Sequence, residues 1–467
     1  MKALITTLFV LNSCFYVQAQ SDSTVTLSYQ EFIEIVKKEH PYTKQADIKI
    51  YEGEATLLYA KGAFDPKIYT DISQKYFKEN QYYSLINGGL KIPTWFGVEL
   101  KGGYEQTQGV FLNPENTTPG SGLVHAGISF PVGRGLLIDK RRAELKKARL
   151  FQQVSEMEQQ LILNELVYRA GTTYWEWFKA YNSLFVYKEG YRLAKERFDA
   201  VKLGAAIGDR PAIDTLEAGI QVQNRMLGLQ QSEVEFKNAT VLLSVYLWAE
   251  GVVPLELAAG TVPVSISNTM GLNTNPPPFV QIDSLINTHP ELNQSRYVIN
   301  QLEIDKRLKK NQLLPMLNLK YNPITEYVGG ESMANFSINN YTWGLEFQMP
   351  LFLRKERGLL KLTDLKIQEN NLKLNNKQQV LRYKVIAAWN QWSTTKEQIE
   401  LYAQTVEDAG NLLEGERQLF NIGESSLFMV NTREVGFIKT QLTFIELLTQ
   451  NRKAKLTTMY ALGRALN

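Results

Sequence analysis

The chain has 467 residues, with 51 Lys and Arg against 48 Asp and Glu, for a formal charge of +3. Charge this evenly balanced, with the signs interspersed, supplies no basic face for a nucleic acid. The one cysteine is Cys14, so a chain processed beyond it has neither a disulfide nor a thiolate metal site.

Residues 1–19 read as a secretory signal peptide, with basic Lys2, a short apolar run and small residues ending at Ala19. Leu11 to Cys14 allows a second reading, a lipoprotein box with Cys14 lipidated, although Asn12 suits it poorly. Beyond Ala19 no window offers the ~18 apolar residues of a membrane helix, so a chain that spans a bilayer must do so with strands.

Residues 20–62 are expected to form helices, the second from about Pro41 to Lys61 with proline at its first position. Residues 63–131 alternate apolar and polar side chains, as in Ile68, Thr70, Ile72 and Val98, Leu100, Tyr104, which predicts strands near 67–77, 82–92, 97–107 and 123–131. Residues 132–250 hold no proline between Pro131 and Pro211, and a helix from Leu137 to Ile207 would be ~105 Å long. It reverses at IGDRP into a second helix reaching about Glu250, making a long helical hairpin. Residues 251–278 are rich in Pro, Val, Thr and Asn and read as a linker or side segment.

The remainder repeats this plan: helices in 279–314, one from Pro290 to Gln312, then strands in 315–352 near 316–326 and 342–351, then a helical hairpin in 353–467 reversing at IGESS and running to about Leu466. Landmarks coincide. His40-Pro41 and His289-Pro290 stand 249 positions apart, as do Pro66 and Pro315, while Ile207-Gly208 and Ile422-Gly423 stand 215 apart. The chain is a duplication whose first copy carries 34 extra residues, about one additional strand hairpin. The fold class expected is mainly α with a β-barrel part. Six strands cannot close a membrane barrel, whose smallest bacterial forms have ~8, so several copies must share one.

A signal peptide, the duplicated plan, and the phrases LSYQEFIEIVKKEHP, ISFPVGRG, RFDAVKLGAAIGDRPAIDTLEA and LFNIGESSLFMVNTREV together resemble the TolC-type outer-membrane efflux proteins. The resemblance implies a homotrimer in the outer membrane of a Gram-negative bacterium. Strands of three copies would form one barrel there, continued by helices as a hollow α-barrel through the periplasm. It also implies a periplasmic adaptor and an inner-membrane transporter as partners, serving efflux or type I secretion. The helix reversals are then the docking tips, at Leu203, Gly208, Asp209 and Asp214 and at Gly423 and Glu424. Constriction candidates are Asp209, Asp214, Glu424, Phe428 and Met429. Positions often acidic in the family read Met429 and Thr432 here, and the extra hairpin departs from the common two-plus-two strand pattern.

Several conspicuous residues carry plainer readings. His40 and His289 each precede a helix-starting proline and lack neighbouring ligands, so no metal or cofactor is expected. Tyr174, Trp175, Trp177, Phe178, Trp389 and Trp392 suit helix packing better than substrate stacking. The basic run of Lys140, Arg141, Arg142, Lys146 and Lys147 suits a solvated face. No nucleophile motif, phosphate loop or paired-histidine motif appears, so an enzyme is not expected. A different class stays open: a secreted or periplasmic structural coiled-coil or adaptor protein with a soluble β domain.

Overall fold

The computed structural model describes residues 25–270, 275–327 and 336–466. The expected signal peptide and Cys14 lie outside the described residues. The chain begins with β1 (Thr26–Leu27), α1 (Tyr29–Glu39) and α2 (Pro41–Lys61), followed by β2 (Lys67–Phe77), β3 (Asn80–Pro93), β4 (Glu99–Gln108) and β5 (Leu123–Gly133). Two long helices follow, α3 (Lys140–Ala206) and α4 (Ala212–Ser244). The segment between the copies holds β6 (Trp248–Ala249), β7 (Val253–Pro254), β8 (Val262–Pro263) and α5 (Ile266–Met270). The second copy supplies α6 (Ile282–Asn287), α7 (Pro290–Asn311), β9 (Met316–Glu326), β10 (Tyr341–Gln348), α8 (Arg354–Asn421) and α9 (Leu427–Ala461). No described helix is both long and apolar enough to cross a membrane.

Two helices end earlier than the composition suggests. Helix α4 stops at Ser244 because Trp248 and Ala249 pair with Pro254 and Val253 in a small antiparallel ribbon. Helix α9 stops at Ala461 because Gly463, at φ +71°, takes the left-handed turn; its N–H donates to Tyr460 O and that of Arg464 to Met459 O, both at 2.8 Å.

The chain divides into two compact units, and α3, α8 and α9 contribute to both. In the first, comprising described residues 25–40, 170–270 and 395–453, a capping box starts α1: Glu31 N–H donates to Ser28 Oγ at 3.2 Å and Ser28 N–H to Glu31 Oε2 at 2.9 Å. Tyr174, Trp177 and Phe178 are wholly withdrawn from solvent. The Tyr174 hydroxyl donates to Leu27 O at 2.8 Å, and Trp177 Nε1 donates to Thr240 Oγ1 at 3.2 Å. These rings are core, with their polar tips satisfied as burial demands. Burial pushes the Tyr29 hydroxyl, whose ring stacks on Trp175, up to about 12.

In the second unit, comprising 41–169, 275–394 and 454–466, Ile282, Ile286, Leu292, Leu381, Val385 and Leu462 form one apolar core. His289 caps α7, its Nδ1 accepting the Glu291 N–H at 3.1 Å, which is why histidine precedes proline here. The basic run is less solvated than its composition suggests. Arg142 Nη1 donates to Leu136 O at 3.0 Å, its Nη2 donates to Gly135 O, and its Nε lies 3.4 Å from Asp139. Lys147 reaches Asp305 at 3.1 Å. Arg142 and Lys147 therefore fasten neighbouring segments to α3.

The same unit contains a six-stranded sheet, in the order β10-β9-β5-β4-β3-β2, with every pairing antiparallel. Strands β2 and β3 run to a two-residue turn at Lys78 and Glu79, both at positive φ (53° and 64°). Tight turns of this kind usually announce themselves by Asn-Gly, so the composition concealed how far the two strands continue. Val98 lies just before β4 and is buried, with its carbonyl accepting from Thr94 N–H at 2.9 Å. It belongs to the turn rather than to the strand face assigned from alternation. Four glycines, Gly88, Gly89, Gly102 and Gly103, form a block across β3 and β4, and the His125 ring lies where a Cβ on Gly103 would project.

Candidate functional site

The two faces of the sheet differ in chemistry because period-two alternation is kept across all six strands. One lateral row runs Ile92, Leu100, Ile128, Tyr321, Trp343 through successive registers. The next rows on that face add Phe130, Leu319 and Leu345, then Val132, Leu317 and Phe347. Ile68 is 86% exposed and Trp343 67%. An apolar field this continuous is left uncovered only when something other than water meets it. The opposite face carries Lys101, Glu105, His125, Ser129, Lys320 and Asn322, which line a polar depression of about 240 Å³.

In the first unit the two helix reversals adopt the same turn. At the end of α3, Gly208 N–H donates to Ala205 O (3.2 Å) and Asp209 N–H to Gly204 O (3.0 Å). At the end of α8, Gly423 N–H donates to Phe420 O (3.2 Å) and Glu424 N–H to Leu419 O (2.9 Å). Both are Schellman motifs, with glycine at the left-handed position at φ +80° and +83°. An acid follows each glycine. A carboxylate just past a helix C-terminus faces the negative end of the helix dipole, so neither Asp209 nor Glu424 is there to stabilise its helix. Asp214, in the first turn of α4, is placed where the dipole favours an anion, and its helix alone accounts for it.

The tips pack against each other through Arg210, whose guanidinium sits 4.3 Å from the centre of the Phe420 ring. Val201, Ala218 and Leu427 form a small core beneath them, with Phe198 and Phe420 at its edge. Leu203 is exposed. Of the two apolar gate candidates, Phe428 is 64% exposed whereas Met429 is half-buried, so the pair does not present a single surface.

A charged cluster beside this core was not singled out from the sequence. Arg197 Nη1 donates to Asn431 Oδ1 and its Nη2 to Glu434 Oε1, both at 2.7 Å; Asn431 Nδ2 donates to Glu217 Oε1 at 2.9 Å. Arg417 lies 3.5 Å from the same Glu434, which is only 2% exposed. Arg225 is nearby; burial, with the positive charge of Arg197, lowers its pKa against the pull of Glu434. The phrases RFDAVKL and VNTREV contain Arg197, Asn431 and Glu434, but nothing in either alone shows that they meet across 237 positions.

The sequence of residues 281–464 matches the family described as Outer membrane efflux protein. The chain carries an outer membrane efflux protein domain. That domain spans the second copy from α6 to the end of α9 and so contains the second tip. Solved structures extend the likeness to nearly the whole fold. The open-state MtrE outer membrane channel of Neisseria gonorrhoeae is 11% identical, with 94% of this chain and 89% of that chain covered at a TM-score of 0.67. CusC is 14% identical over 93% and 91% at 0.64. The CmeC outer membrane channel of Campylobacter jejuni is 13% identical over 94% and 86% at 0.62. At such identities the likeness speaks for the fold. No curated protein matches the sequence.

Proposed function

We propose that this protein is the outer-membrane channel of a tripartite efflux or type I secretion system, closed as a homotrimer. The observation that carries the reading is the sheet: six strands, one face apolar and uncovered, and two open edges. Five successive antiparallel pairings leave β2 and β10 running in opposite directions, so β10 of one copy can pair with β2 of the next as an ordinary antiparallel neighbour. Three copies would close a barrel of 18 strands, the size at which an aqueous lumen remains open. The apolar face would then meet lipid and the polar face would line the pore. A soluble β domain would have no use for Trp343, Leu345 and Phe347 in water.

In this reading the tips at Leu203, Gly208, Asp209 and Asp214 and at Gly423 and Glu424 meet a periplasmic adaptor bound to an inner-membrane transporter. Asp209 and Glu424, which do not stabilise their helices, are the residues best placed to serve a partner. Phe428 is the apolar candidate for the constriction, with Met429 behind it. Measuring the mass of the purified protein in mild detergent and its conductance in planar bilayers tests the proposal. The expected result is a trimer that conducts. A folded, stable monomer with no conductance would overturn it.

A further inference from the structure

Two rows on the polar face of the sheet each carry charges of one sign, flanked on the turn side by a mixed row of Glu99, Lys320 and Glu346. Lys67, Lys91 and Lys101 stand in direct lateral register on β2, β3 and β4, forming one row. Four residues further along β2 a second row of the same face carries Asp71, Glu105 and Glu326, in register through Asn87 and Leu123. The rows are ~13 Å apart along the strand. Between them lies a row of Tyr69, Gly89, Gly103, His125 and Ile324, with neither lysine nor carboxylate. The basic row is the one nearer the turn at Thr94–Gly97.

Folding does not ask for this arrangement. The three lysines stand directly opposite on neighbouring strands and repel, and interleaving carboxylates among them would relieve the repulsion at no cost to the fold. Lys101 excepted, the charges are not consumed by ion pairs. Among the described residues Lys67 and Lys91 have no carboxylate partner; Lys91 Nζ instead sits 4.4 Å from the centre of the Tyr69 ring. Lys101 lies 3.4 Å from Glu99, which is itself shared with Arg141 at 3.9 Å. On the acidic side Glu326 accepts only the Ser121 hydroxyl, at 3.0 Å.

We propose that these two rows make the pore wall bipolar, so that the channel passes ionic current more readily in one direction than in the other. The inference rests on the channel reading, which turns the polar face into the lumen. With three copies each row becomes a band of nine charges around the pore. Counter-ions gather at each band: anions at the lysines, cations at the carboxylates. A field that drives both kinds of ion toward the region between the bands fills it with carriers, and the reversed field empties it. The separation of ~13 Å slightly exceeds the Debye length of ~10 Å at 0.1 M salt, so the bands act individually there, and at 1 M they are screened.

Single-channel recordings of the full-length trimer decide the matter. In about 0.1 M KCl the currents at equal and opposite voltages should differ by about twofold or more, and the difference should fade at about 1 M. The triple variant K67Q/K91Q/K101Q should lose the asymmetry and become cation-selective by reversal potential. The triple variant D71N/E105Q/E326Q should also lose it and become anion-selective, and comparison of heated and unheated gels establishes that each variant assembles. A symmetric current from the unaltered channel, or asymmetry retained in both variants, overturns the inference while leaving the channel reading intact. Absence of any conductance overturns the channel reading and this inference with it.

Discussion

Arg197 and Glu434, 237 positions apart, meet at 2.7 Å with Glu434 almost fully withdrawn from solvent. The pair joins α3 of the first hairpin to α9 of the second, next to the tips. Removing one member of a buried ion pair leaves the other without compensation, at a typical cost of about 3–5 kcal/mol. Glu434→Ala should therefore loosen the tips while leaving the sheet unaffected. Hydrogen exchange along 197–217 and 427–434 checks this; protection equal to the parent protein's would show that the pair is dispensable.

The acids beside the tip glycines separate stability from recognition. Asp209→Asn and Glu424→Gln each remove a charge from the unfavourable end of a helix dipole, so local stability should hold or rise by about 0.3–1 kcal/mol. Export in cells should nevertheless fall if a partner reads these carboxylates. Undiminished export by the double variant would assign docking to other tip residues. Gly208→Ala makes the contrasting case: an added Cβ meets no atom within 4 Å, yet φ +80° makes a side chain there cost about 1 kcal/mol.

On the sheet, Leu100 pairs laterally with Ile128 while Lys101 lies on the other face. Leu100→Lys should hinder assembly by about 2–4 kcal/mol if it sits at mid-bilayer, whereas Lys101→Gln should assemble normally. The yield of heat-modifiable trimer measures both. Equal yields would mean that the two faces do not meet lipid and water respectively.

His40 and His289 predict an acid-sensitive step. Burial lowers the pKa of each, and the neutral Nδ1 of His289 is needed to accept the Glu291 N–H. The unfolded chain takes up protons first, near the ordinary value of about 6.5, so this stability is complete above that pH and declines as pH falls toward the lower folded values. Thermal midpoints measured from pH 7.5 to 5 should drop, and His40→Asn/His289→Asn should flatten the dependence. A flat profile in the parent protein would remove both histidines from the account.

Periodicity made the plan of the chain legible: the length of α3 and α8, the prolines that begin α2 and α7, and the six strands all follow from local patterns. The Lys78-Glu79 turn did not, because its residues are unusual for their backbone angles. The tips were found as breaks in helical composition, but their Schellman geometry, and hence the meaning of Asp209 and Glu424, depends on φ angles that composition does not specify. The Arg197 cluster and the sorted charge rows were invisible for a different reason. They depend on which residues become neighbours across hairpins and strands, and no local spacing encodes that register.

In the proposed trimer, the even number of strands in the sheet limits how the protein can change in evolution. A copy that gained or lost one strand would leave edges running the same way, and each seam between copies would have to switch to parallel pairing. Only whole hairpins can be exchanged without altering the seams. The bore of the proposed channel would therefore be adjustable in coarse steps, six strands at a time for three copies, and the 34-residue excess of the first repeat reads as one such step.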